Sequence, residues 1–310
     1  MRLSALCLLL PLSAIAGAFR PADLTADARW FVHVDHDAAR ASVVGTKALG
    51  ITDDRVCPVP EIKAFADAVG FDGRRDLLSF TAYGTGAERQ AVAIIRHRGD
   101  NLRIGEYLKS KGGEPDVVDG VPLLGFACGP AACRLNVAFP SAGIVVIAMS
   151  PADAARACAA LENTAVVAPI PAEFSELAVG SPIVSAACDM VACRSANPRA
   201  ARLAANVNVA AMAASESAGS LAVNARLAMA RPEAAQAGVQ MVEGAKAFAT
   251  SRNEALASWV DTLVATAEGA SMSVSWKGDA AAITAEMDKA RERMIAWRKS
   301  KGGACPVTGR

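Results

Sequence analysis

His33, Asp35, His36 and Asp37 set two imidazoles and two carboxylates within a few residues, the densest group of metal-capable or acid–base side chains in the chain. Trp30, Val32 and Val34 alternate with Phe31, His33 and Asp35, a period of two that predicts a strand with His33 and Asp35 on one face. Such a pair could hold one metal ion, with His36 or Asp37 as a third ligand where the strand turns. The spacing matches none of the well-defined metal motifs. The competing structural reading makes His33 and Asp35 strand residues and Asp37 the cap of the next helix.

Cysteines form the second set. Ala-Cys-x-x-x-Ala-Cys-Arg occurs at 127–134 and again at 187–194, so Cys128/Cys133 and Cys188/Cys193 repeat one spacing. Each pair suits a local disulfide or, taken together, crossed ones; four thiolates could also hold zinc, and buried free thiols are the bland alternative. Cys57 and Cys305, each followed by Pro-Val, lie in predicted loops and could bond to each other. A dithiol redox centre prefers two intervening residues and an electropositive helix start, which neither pair has. Gly-x-Ser-x-Gly, phosphate-loop, HExxH and haem-attachment patterns are missing from the sequence, and His97 sits between Arg96 and Arg98 as an expected solvated strand edge.

Compartment decides among the thiol readings. Met1-Arg2, an apolar run from Leu3 to Ile15 and the small residues Ala16-Gly17-Ala18 read as a secretory signal, with cleavage expected after Ala18. Losing Cys7 leaves seven of the eight cysteines in an oxidising periplasmic or extracellular setting, where disulfides persist. A formal charge of +1 and 5% aromatics offer nucleic acid neither a basic surface nor a stacking platform. No later run has the eighteen or so apolar residues of a membrane span.

The elements that must position these residues follow from period and punctuation. After the Trp30 strand come a helix closed at Gly50 and a helix from Pro60 to Gly70. A hairpin of Leu77–Tyr83 with Gln90–His97, a helix from Leu102 to Lys111, and strands over 117–126, 135–139 and 144–149 follow, with turns at Asp119-Gly120 and Pro140-Ser141-Ala142-Gly143. Ser150-Pro151-Ala152-Asp153 starts a helix. The second half opens on Ile183–Arg194, which copies Trp30–Arg40 with Asp189 on Asp35 and Arg194 on Arg40. It continues with strands over 204–214 and 220–230, helices over 232–250 and 254–267, a strand at Met272–Trp276, and a helix capped by Asp279. That last helix carries the stripe Ile283, Met287, Ala290, Met294, Trp297. The expected organisation is a signal over 1–18, a first α+β unit over 19–163, a linker over 164–180, a second unit over 181–299, and a flexible tail over 300–310. Each unit is expected to be a mainly antiparallel sheet with helices on one face, related to the ferredoxin-like plan.

The opening strand, Gly70-Phe71-Asp72-Gly73-Arg74-Arg75-Asp76-Leu77, Ser79, Thr81 and Tyr83-Gly84 together resemble a group of exported bacterial proteins of unassigned function. The resemblance covers about the first hundred residues and implies an exported, two-unit α+β protein, with no catalytic residue to carry over. The leading expectation is therefore an exported, non-enzymatic binding or structural protein without a cofactor, its partner a protein or other envelope component. A metal-dependent or hydrolytic enzyme built on His33, Asp35, His36 and Asp37 is the alternative, and thiol redox the third.

Overall fold

The computed structural model describes residues 17–51, 60–88, 90–128, 133–162, 168, 170–175, 177, 181–196, 205–252 and 254–300. Strand β1 (Trp30–Asp35) runs into helices α1 (His36–Ala41) and α2 (Val43–Ile51), followed by α3 (Pro60–Val69) and the single turn α4 (Gly73–Asp76). Strands β2 (Leu77–Gly84) and β3 (Ala91–His97) form a hairpin. Helix α5 (Asn101–Ser110) leads to β4 (Glu114–Val118), β5 (Val121–Cys128), β6 (Cys133–Ala138) and β7 (Ile144–Ala148), and α6 (Pro151–Glu162) closes the half. The second half contains α7 (Ala172–Ser175), β8 (Val184–Asp189), α8 (Met190–Ala196), β9 (Val207–Ser217), β10 (Ser220–Met229), α9 (Pro232–Arg252), α10 (Glu254–Val260), β11 (Val264–Glu268), β12 (Ser271–Asp279) and α11 (Ala280–Ser300).

The fold is α+β, and its strands make one twelve-stranded antiparallel sheet in the order β11-β12-β10-β9-β8-β1-β2-β3-β7-β6-β5-β4. The halves meet where β1 pairs with β8, with Val32 opposite Ala186 at the centre. The offset that carries Asp35 to Asp189 also carries Val32 to Ala186, so the pairing is symmetric about that one pair, Trp30 facing Cys188 as the equivalent Val184 faces Val34, a local two-fold relation. Outward from that seam, β2 and β3 correspond to β9 and β10, and β7 and β6 to β12 and β11. Among the described residues the hairpin β4–β5 has a place only in the first half.

The recurring strand-to-helix turn has the same job in both halves. Ala38 N donates to Asp35 Oδ1 at 2.8 Å and Ala192 N to Asp189 Oδ1 at 2.9 Å, so each aspartate caps the helix that follows its strand. The echoed arginines also match: Arg40 donates to the Leu77 carbonyl at the start of β2, and Arg194 to the Ala205 carbonyl just before β9. Asp37, expected as the cap, lies in the first turn of α1 and pairs with Arg40 and Arg98 instead. Extended backbone at Asp35 puts its side chain, not that of Asp37, over the free N–H groups.

Register divides the sheet into two faces. Phe31, Tyr83, Ile94, Val146, Ala138 and Leu123 share one, where α6 and Phe174 cover them to make the main core. The opposite face is covered only in parts. Helix α5 lies over β5 and β6, and α9 lies over β12, where Gly238 allows Met272 to approach the helix axis. Between them Val32 and Met212 remain 37% exposed, on an apolar shelf shared with Ala186, Ala210 and Ala225.

Two expectations change. Residues 264–268 form β11, paired with β12, and not the end of a helix over 254–267. The turn expected at Asp119-Gly120 is present, both residues at positive φ, and it divides 117–126 between the paired strands β4 and β5. The stripe of α11 is half-buried at Ile283 and Met287, but Met294 and Trp297 are 40% and 44% exposed, because α11 packs against α2 and runs past it. A second tie joins the halves there. Glu216, at the end of β9, accepts from Val43 N and Val44 N at 2.8 and 2.9 Å and so caps α2, while Lys47 pairs with Asp288 of α11.

Candidate functional site

Three of the four proposed metal ligands are already engaged, and the fourth, His36, has a buried Nδ1 without a hydrogen-bond partner. His33 is 2% exposed; its Nε2 lies 2.9 Å from the Gly17 carbonyl and its Nδ1 2.8 Å from Thr81 Oγ1. A carbonyl only accepts, so Nε2 carries the proton and Nδ1 accepts from the threonine hydroxyl, which leaves the ring neutral with no lone pair to spare. Burial, the largest influence, pushes its pKa below the ordinary value. Asp35, also on the buried face, caps α1, and Asp37 belongs to its arginine pairs. His36 sits at the start of α1, its pKa lowered by burial and then by Arg40. Among the described residues no three His, Cys, Asp or Glu side chains gather as they would around a metal ion.

His33 and Asp35 instead line a small cavity of about 290 Å³ with Phe19, Phe174 and Ser185. Phe19 stacks on Phe31, ring centroids 4.4 Å apart, and tilts against His33 at 5.4 Å. Beside this cavity Arg96 grips Asp23 through two bonds of 2.8 and 2.9 Å, both side chains largely buried. His97, expected at a solvated edge, is buried: its Nδ1 accepts from Gly99 N at 3.0 Å and Phe71 packs edge-on against the ring. The arginines on either side of it signalled solvent, but the segment folded over that strand end comes from the distant Phe71 turn.

The thiols fall into four groups. Cys188 at the end of β8 and Cys193 on α8 bring their sulfurs to 3.4 Å, both free and half-buried. Burial, reinforced by the contact with Cys193, pushes the Cys188 thiol up to about 12, so it stays protonated and is a poor nucleophile. Cys128 and Cys133 are direct cross-strand partners in the β5–β6 register. Cys57 and Cys305 lie outside the described residues. Cys158 is buried in the core, its pKa raised to about 11 by burial.

A roomy concavity is one that no motif announced. A cleft of about 940 Å³ opens between α5 and the β4–β5–β6 strands. Its floor is Leu124, Val137 and Phe139; its rim carries Glu106, Lys109 and Asp116. Asp100 positions α5 by accepting from Leu102 N at 2.8 Å, which turns the side-chain-free face of Gly105 toward Phe139. A Cβ at Gly105 would stand 3.7 Å from the Phe139 ring, ordinary contact, so the glycine leaves room without being required by backbone strain. At the mouth, Leu102 is 80% and Val117 66% exposed. The signal available in sequence was a glycine inside a helix opposite a phenylalanine, too common to stand out.

No family model matches this chain, and no curated protein does. Among solved structures, crystal forms I, III and IV of TP0453 align with TM-scores of 0.47, 0.49 and 0.46 at 8%, 7% and 10% identity. These alignments cover 88%, 87% and 88% of this chain and 98%, 98% and 97% of TP0453. Among the described residues no helix is long and apolar enough to cross a membrane.

Proposed function

We propose that this chain is an exported, non-enzymatic binding protein that holds a small amphipathic ligand in the cleft beneath α5. The cleft carries the reading. Its volume of about 940 Å³ lies in the range of ligand sites, and its apolar floor with a few charged groups at the lip is the usual composition of such sites. The floor suits an apolar body, and Lys109, Glu106 and Asp116 suit a polar head left at the mouth. Lys109 and Glu106 are paired at 3.0 Å, so a polar head would compete with a weak surface ion pair. The apolar shelf around Val32 is lined, among the described residues, by apolar side chains together with Trp30 and Cys188, and no charged side chain stands there to orient a ligand.

Export to the periplasm or the extracellular space rests on the N-terminal pattern and accounts for the paired cysteines. Cys188 and Cys193, and Cys128 and Cys133, each give up two protons and two electrons to an external disulfide, which is reduced to two thiols. Thiol titration under denaturing conditions should then count all four as blocked in protein recovered from an exporting host. The two-fold relation at Val32 and Ala186, with the shared capping and arginine roles, supports descent from one duplicated unit.

Binding is tested with 1-anilinonaphthalene-8-sulfonate as the probe. Gly105→Leu fills the cleft from the helix side and, by replacing a helical glycine, should leave the melting temperature equal or higher. The expected outcome is saturable fluorescence in the parent protein that falls at least tenfold in Gly105→Leu and persists in Met212→Ser, which alters only the exposed shelf. Undiminished binding in Gly105→Leu refutes the cleft as the site.

A further inference from the structure

We propose that the mature chain begins at Gly17, cut from its signal after Ala16, and that the α-ammonium so created docks against the buried carboxylate of Asp35. The inference rests on the export reading and adds where the cut falls and what the new terminus does.

Gly17 and Ala18 belong to the folded body. Gly17 is buried, and its carbonyl accepts the Nε2–H of His33, itself buried at 2% exposure. Cutting after Ala18 would remove that acceptor and leave a buried imidazole N–H unpaired. Phe19 would still stack on Phe31, so the next residue holds the segment in place without supplying the missing carbonyl. The sequence offers a better site two residues earlier. Ala14-Ile15-Ala16 is a small-x-small triplet directly after the apolar run, the pattern signal peptidases read. Hydrolysis there adds water across the Ala16–Gly17 peptide bond, giving a carboxylate on Ala16 and an ammonium on Gly17. The agent is a signal peptidase of the exporting membrane.

The geometry around Gly17 gives that ammonium a partner. A Cβ built on Gly17 would fall 2.9 Å from Asp35 Cγ and closer still to Oδ1, so only glycine fits. The nitrogen of any residue lies about 2.5 Å from its own Cβ position, which bounds the Gly17 nitrogen within about 5.4 Å of the Asp35 carboxyl carbon. Opposite charges at that range attract, more so with Asp35 only 5% exposed. Asp35 thus both caps α1 and receives the chain terminus, at the end of β1 that lies beside β8.

The full chain is expressed in a bacterial host that exports it, and the product recovered outside the cytoplasm is read by N-terminal sequencing and intact mass. A start at Gly-Ala-Phe is expected. A start at Phe19 overturns the inference and leaves export standing; an uncut Met1 overturns both. Docking is tested on proteins made to begin at Gly17, at Ala16, or at α-acetylated Gly17. The free Gly17 form should melt at least 2 °C above the other two, and Asp35→Asn, which keeps a capping oxygen, should abolish the gap. Equal melting of the free and acetylated Gly17 forms refutes the ion pair.

Discussion

Asp189→Ala removes the acceptor that closes the first turn of α8, and the structure sets how much that costs. The bond lost is Ala192 N to Asp189 Oδ1 at 2.9 Å, partly buried, so the freed N–H is incompletely repaid by water. Cap deletions cost about 0.5–2 kcal/mol, and partial burial puts this one at about 1.5 kcal/mol. For a chain of this size that amounts to a fall of about 2–3 °C in melting temperature. Asp189→Asn keeps a side-chain oxygen in place and should lose at most about 0.5 kcal/mol. Urea unfolding at fixed pH measures both, with the midpoint shifting and the slope unchanged. Adding Asp35→Ala should be additive within about 0.5 kcal/mol, because the two caps lie at opposite ends of paired strands, about 16 Å or more apart at the rise of a strand. If Asp189→Asn unfolds as easily as Asp189→Ala, the cap is not what the repeated aspartate does.

Two further outcomes follow from burial and from backbone approach. His33, His36 and His97 all have pKa values lowered chiefly by burial, so between the unfolded value near 6.5 and their folded values the unfolded chain binds more protons. Stability should be full above about pH 7 and fall as the pH drops through 6.5 and below; urea midpoints that rise from pH 7.5 to pH 5.5 contradict it. Gly84→Ala should cost about 2 kcal/mol, because the new methyl meets the Gln90 carbonyl and stands 3.0 Å from Trp30 Nε1, whereas Gly244→Ala in α9 meets nothing within 4 Å and should gain about 0.5–1 kcal/mol. Thermal melts of the pair check the contrast, and equal melting of the two variants counts against it.

Periodicity made β1, β2, β3 and β12 legible, because each alternates over five or more residues and is bounded by turn glycines or a capping aspartate. Gly70 and Gly112 stop their helices at positive φ as their sequence positions implied. Residues 264–268 were not legible: Val-Ala-Thr-Ala-Glu suits helix or strand about equally, and pairing with β12 decides it. The apolar stripe of α11 predicted burial along its length, yet nothing local says where α2 ends beneath it. His33 looked like a ligand because its two partners, Gly17 and Thr81, come from other segments. The cleft was illegible for another reason: it is made by the missing side chain of Gly105, and an absence has no period.

One continuous sheet has only two edges, and they are guarded differently against joining a neighbour. Edge strand β4 carries Pro115, which has no N–H to offer, between Glu114 and Asp116, whose charges would be stranded in a dry interface. Edge strand β11 has no proline and only Glu268 for a charge, with Val264 half-exposed at its other end. Its main protection is shortness, five residues. When this protein aggregates on heating or storage, growth should therefore begin by strand addition at β11, and a lysine in place of Thr266 is the substitution that would slow it.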